Sequence, residues 1–153
     1  MIPTIEELDL DKLKTYNSDK KKSFEFLCYQ LCYEQFHTEG SFTPIDDSGG
    51  GDGVEFYLTK ENGEEYGWQC KFFDRLNVGG RKQQIKNSLY QACRNHGTTL
   101  KRWYLWTKLD FTKEEQSWFD SLQAEIKENY QNLDLIHVGI SDISRKLARY
   151  PFI

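Results

Sequence analysis

The chain has 153 residues, 38% of them hydrophobic and 15% aromatic, and carries a formal net charge of −4. That length suits one compact domain with a single substantial core. No apolar run approaches the roughly 20 residues of a membrane span, and "MIPTIEELDLDKLKTYNSDKKK" lacks the apolar stretch of a signal peptide, so a soluble, cytoplasmic protein without a membrane partner is expected.

Residues 4–14 read as a short amphipathic segment, after which Ser18 or Asp19 offers a helix N-cap. Phe24, Leu27, Cys28, Leu31 and Phe36 recur at helical spacing and predict a helix over Ser23–Phe36. A short strand near Phe42–Ile45 then leads into a loop rich in glycine, Gly49, Gly50 and Gly51. "VEFYLTK" alternates, "ENGE" supplies an Asn-Gly hairpin signal, and "EYGWQCKFF" returns as the partner strand. Arg81–Asn95 carries an apolar stripe of Ile85, Leu89, Ala92 and Cys93 and stops at "NHG". "RWYLWT" reads as a strand, Thr112 with Glu115 as a capping box opening a third helix, "LDLIHVG" as a last strand and "SDISRKLARY" as a terminal helix. The order α-β-β-β-α-β-α-β-α predicts an α/β domain with a central mixed sheet flanked by helices on both faces.

Several chemistries lose their anchors. Cys28, Cys32, Cys70 and Cys93 show no CxxC spacing, and His37, His96 and His137 are scattered. Zinc clusters and a disulfide framework are not suggested, and the HExxH, GxSxG and P-loop patterns are absent. The charge, by contrast, is strongly partitioned. Residues 1–70 hold 6 Lys/Arg against 15 Asp/Glu, residues 71–108 hold 9 against 1, and residues 109–153 hold 5 against 8. A basic stripe of this kind is the footprint of a protein that tracks phosphates, although a solvated helix face has the same composition.

The hairpin carries the chemistry. Alternation puts Gln69 and Lys71 on one side of the second strand, and Asp52 stands near the entrance of the first, so the three are expected at one rim. Carboxylate and amide oxygens with one amine suit a hard divalent cation and an attacking water, and Glu25, on the flank of the first helix, offers a second carboxylate. Each residue also has a plain reading: Asp52 as a turn former, Gln69 and Lys71 as a solvent face, Glu25 as a solvated helix residue, and Trp103 and Trp106 as core.

"GGGDGVEFYL" followed by "EYGWQCKFF" resembles the active-site signature of the PD-(D/E)XK nuclease superfamily in its Mrr-like branch, where glutamine replaces the last acidic ligand. "SFEFLCYQL" is similar to the helix that carries this branch's glutamate. The stretch from "GGRKQQIKNSLYQ" to "KLDFTKEE" resembles Mrr-like domains at the N-termini of bacterial antiviral STAND NTPases, so the likeness covers roughly residues 20–140. The proline expected directly before the motif's aspartate is absent, glycines standing there instead.

The resemblance implies a restriction-endonuclease-like fold over one domain, residues 1–153, as the N-terminal part of a longer protein with a fused NTPase or sensor region, active as a homo-oligomer. It implies Mg²⁺ or Mn²⁺ held by Asp52, Gln69, the Cys70 carbonyl and Glu25, with Lys71 activating the hydrolytic water. Arg75, Arg81, Lys82, Gln84, Lys86 and Ser88 would contact DNA, mostly through its backbone. The expected activity is metal-dependent DNA cleavage in anti-phage defence; a catalytically weak or inactive DNA-binding or assembly module is the alternative.

Overall fold

The computed structural model describes residues 20–45 and 52–150. They form α1 (Lys20–Phe36), β1 (Gly40–Pro44), β2 (Phe56–Lys60), β3 (Glu65–Lys71), α2 (Arg81–His96), β4 (Leu100–Thr107), α3 (Lys113–Lys127), β5 (Asp134–Val138) and α4 (Ile140–Arg149). The order is the one read from the sequence. Residues 4–14, the Ser18 and Asp19 caps and Gly49, Gly50 and Gly51 lie outside the described residues.

The five strands form one sheet in the order β1-β2-β3-β4-β5. β1, β2 and β3 pair antiparallel, whereas β3, β4 and β5 are parallel, so β3 joins the two halves. The molecule is thus an α/β fold with a mixed sheet between helices, the restriction-endonuclease-like arrangement. A short turn joins β2 to β3: Gly63, at φ 87°, closes the hairpin, and Asn62 Oδ1 accepts from Glu64 N at 3.0 Å. The parallel half needs helical crossovers, which α2 and α3 supply. The expected capping box is present at α3, with Glu115 N donating to Thr112 Oγ1 at 3.2 Å and Thr112 N to Glu115 Oε1 at 2.9 Å.

Alternation along the strands divides the core. Tyr66, Trp68 and Cys70 face α1 and α4, joining Phe24, Leu31 and Ile143; Trp103 and Leu105 face α2 and α3, joining Ile85, Leu89 and Phe119. Register builds a stack across three strands: Phe56 lies 5.2 Å from Trp68, and Trp68 4.9 Å from Tyr104, between ring centroids, each pair being cross-strand neighbours. All four cysteines are free and buried. Burial raises the thiols of Cys28 and Cys32 well above their ordinary value, and that of Cys93 to about 11. No helix among the described residues is long and apolar enough to cross a membrane.

The parallel edge holds a half-buried histidine. His137, on β5, stacks on Phe111 at 3.5 Å, and its Nε2 lies 2.8 Å from Thr107 Oγ1. The Thr107 hydroxyl donates to Leu109 O at 2.7 Å, so Nε2–H is the donor between ring and hydroxyl. Burial lowers the His137 pKa from 6.5 to about 4, against the raising charges of Asp110 and Asp142. The unfolded chain therefore takes up this proton first as pH falls, so the stability present above pH 6.5 is lost towards pH 4. The loss expected from this residue is about 3 kcal/mol, at about 1.4 kcal/mol per pKa unit. Urea midpoints measured across that range should flatten in His137→Gln; an unchanged slope would assign the acid sensitivity elsewhere.

Candidate active site

The C-terminal end of β3 gathers the hairpin chemistry. Gln69 is 3% exposed and Lys71 half-buried, both on the α2 side of the sheet because Trp68 and Cys70 occupy the other. The carboxylate that meets Gln69 is Glu55, which the sequence reading placed only as a strand residue. Gln69 Nε2 donates to Glu55 Oε1 at 2.7 Å. Glu55 immediately precedes β2, and its backbone is held from both sides: its N–H donates to Trp68 O at 2.7 Å, and its carbonyl accepts from Ile45 N at 2.9 Å. Register accounts for the pairing, since Phe56 opposes Trp68 and the preceding residue therefore falls beside Gln69.

Glu25 lies on α1, in the opposite layer, and its charge acts on Cys70 of β3. The first turns of α1 pack here, with the Phe24 and Phe72 rings 5.5 Å apart. Burial raises the Cys70 thiol, the hydrogen bond with Cys28 lowers it, the charges of Glu55 and Glu25 raise it further, and Lys71 opposes them. The charges of both carboxylates and of the amine thus act on one thiol at the end of β3.

Asp52 lies elsewhere, and this corrects the expected constellation. Its Oδ2 is 2.8 Å from His96 Nε2, and His96 Nδ1 is 3.2 Å from Glu65 Oε1, so the ring bridges two carboxylates. Thr99 Oγ1 donates to Glu65 Oε1 at 2.7 Å. Glu65 begins β3 and Lys71 ends it, so this cluster stands about 20 Å along the strand from the lysine, at about 3.3 Å per residue.

The reason is the path of residues 52–54, which thread between the sheet and α2. Gly53 has φ 82°, and a Cβ there would meet Ser88 O at 2.2 Å and Ala92 N at 2.3 Å. Gly67, beneath, leaves room for Val54, whose Cγ1 would lie 2.7 Å from a Cβ. Trp103 Nε1 donates to Gly53 O at 3.1 Å and Asn95 Nδ2 to Asp52 O at 3.3 Å, securing the segment. Two missing side chains therefore let the chain run under α2 and deliver Glu55, rather than Asp52, to Gln69.

Beyond Lys71 opens a cleft of about 400 Å³, lined by Lys20 and Lys21 of α1, by Lys71, Phe72, Phe73 and Asp74, and by Gln84 and Lys108. Of the residues expected to contact DNA, Gln84 lines this cleft, and Arg81 lies at its edge, its guanidinium 4.9 Å from the Phe73 ring centroid and donating to Arg75 O at 2.7 Å. Arg75 is exposed. Lys82 lies 5.4 Å from the Trp118 ring centroid, and Lys86 pairs with Glu125 at 3.1 Å, so both turn towards α3. Ser88 is buried under Gly53. The structure thus divides the predicted stripe, keeps its Lys108 in the cleft, and adds Lys20 and Lys21 from outside residues 71–108.

The donors at the end of β3 are those a hard divalent cation takes. Gln69 Oε1 is buried and has no hydrogen-bond partner among the described residues, beside the Glu55 carboxylate. Among the described residues no three His, Cys, Asp or Glu side chains converge to hold a metal, so Glu55, Glu25, the Gln69 amide oxygen and the Cys70 carbonyl are the groups that remain for one. No protein-family model matches the chain, and no curated protein matches it at a significant level.

Proposed function

We propose that this chain is a metal-dependent DNA endonuclease domain, with Glu55 in the acidic role that the resemblance gives to Asp52. The observation that carries the reading is the Glu55–Gln69 contact on the face and strand end of Lys71, opening onto a lysine-lined cleft. Glu55, Gln69, Glu25 and the Cys70 carbonyl would hold Mg²⁺ or Mn²⁺, which when bound supplies a water of lowered pKa and neutralises charge on phosphate oxygens. Lys71 places its ammonium beside the attacking water and the phosphate, stabilising charge that grows as the phosphodiester opens. The cleft lysines bind the backbone with little base preference. By the same resemblance, the domain serves as the effector of an anti-phage NTPase and acts as a homo-oligomer in the cytoplasm.

Plasmid nicking by concentrated protein, in Mg²⁺ or Mn²⁺ and with EDTA as control, tests this. Divalent-dependent nicking is expected. A second reading, a DNA-binding or assembly module without cleavage, draws on the neutral Gln69 amide, which leaves the strand end with two carboxylates. Salt-sensitive DNA binding without nicking, even in a forced dimer, would select it.

A further inference from the structure

Asp74 is the single acidic residue between positions 71 and 108, and among the described residues it is the single acid lining the cleft. Its carboxylate is 72% exposed, yet it pairs with Lys108, whose side chain is 10% exposed. The Lys108 ammonium also lies 4.2 Å from the Phe72 ring centroid, so it is confined between an aromatic face and a carboxylate. The hydrogen bond from Lys108 and then its charge hold the Asp74 carboxyl below the usual carboxylate range, with Arg81 and Arg75 adding to the effect. Lys20, Lys21 and Lys71 line the same cleft. Cations gathered in so small a space repel one another unless an anion sits among them. For Lys108 that anion is Asp74, an exposed side chain on a loop, which solvent can accommodate if it is released.

We propose that the cleft is a subsite for a phosphodiester of a DNA strand, and that Asp74 is its resident counter-ion, displaced from Lys108 when the phosphate enters. The inference rests on the nuclease reading for the identity of the strand and deepens it. Asp74 acts as a built-in competitor: it neutralises the cleft when DNA is absent and weakens binding when DNA is present. A phosphate that replaces it restores a charge-assisted pair with Lys108 and gains Lys20 and Lys21 at the rim.

Binding of a short labelled DNA duplex in EDTA, followed by anisotropy over a range of salt, tests this without cleavage. Asp74→Asn should bind about tenfold tighter than wild type, and its salt dependence should steepen by about one phosphate's worth of slope. Asp120→Asn, at an exposed position on α3, makes the same change in net charge and should leave affinity unchanged. Adding Lys20→Gln and Lys21→Gln to Asp74→Asn should reverse the gain. Inorganic phosphate at matched ionic strength should compete weakly, whereas displacement of the duplex by phosphate at low concentration would point to a free-anion site and overturn the DNA assignment. Equal affinity of Asp74→Asn and wild type, or an equal gain in Asp120→Asn, would overturn the counter-ion role. Tighter binding by Asp74→Asn with no nicking in Mg²⁺ would sink the nuclease reading and leave the subsite standing; nicking by wild type without a gain in Asp74→Asn would do the reverse.

Discussion

Glu55→Gln and Lys71→Ala should each lower divalent-dependent DNA cleavage by about a hundredfold or more, while Asp52→Asn should retain most of it. Glu55→Gln keeps the side chain's size and removes the charge facing Gln69, which is 2.7 Å away. Lys71 supplies the amine at the strand end, where Glu55 and Glu25 also act on the Cys70 thiol. Asp52 is occupied about 20 Å away by His96, at 2.8 Å, so its loss affects that cluster before it affects the chemistry. Initial nicking rates, with far-ultraviolet spectra to confirm folding, would decide between the carboxylates. Activity lost in Asp52→Asn and kept in Glu55→Gln would return the acidic role to Asp52.

A second large effect is expected at Gly53. Gly53→Ala should destabilise the fold by about 3 kcal/mol, combining a positive-φ penalty of about 1–3 kcal/mol with overpacking of similar size. For a chain of this length that is a fall in Tm of roughly 6–12 °C. The control is Gly63→Ala. Gly63 has φ 87° but nothing within 4 Å of a Cβ, whereas Gly53, at φ 82°, would press on Ser88 O and Ala92 N. The difference between the two melting temperatures isolates the close approach to α2. Equal losses would mean that residues 52–54 do not run tightly beneath the helix. Because Gly53 lies two residues before Glu55, the same variant should also lose cleavage beyond what its unfolded fraction explains.

The element order was legible because each element has a period or a boundary signal that tertiary packing does not override. Thr112 with Glu115 opened α3 where the capping box said, and Asn62–Gly63 closed the hairpin. Boundaries moved where that signal was missing. α1 begins at Lys20, ahead of the apolar periodicity that starts near Ser23, since three lysines carry none; the cap signal at Ser18 or Asp19 had allowed for those residues. β2 begins at Phe56 rather than Val54, because Val54 turns into the core beneath α2. The site was legible only in part. Period two placed Gln69 and Lys71 on one side, but which acid opposes them depends on strand register and on the route taken before the strand. That route rests on contacts of Gly53 with Ser88 and Ala92, some 35 residues away, which no local pattern reveals. The lysines of the cleft come from α1, from the end of β3 and from just after β4, so chain proximity could not group them.

The burial of all four thiols makes the chain its own reporter of opening. A thiol held in the protonated form inside an aromatic core meets an alkylating reagent only when the structure around it parts, so its labelling rate measures breathing rather than surface chemistry. Cys93 follows α2, while Cys28 and Cys32 follow α1. Cys70 lies between Gln69 and Lys71, and its modification would mark the moments when the strand bearing the site separates from α1. Anything that braces that strand end, whether a cation or a bound DNA backbone, should therefore slow the labelling of Cys70 more than that of Cys93.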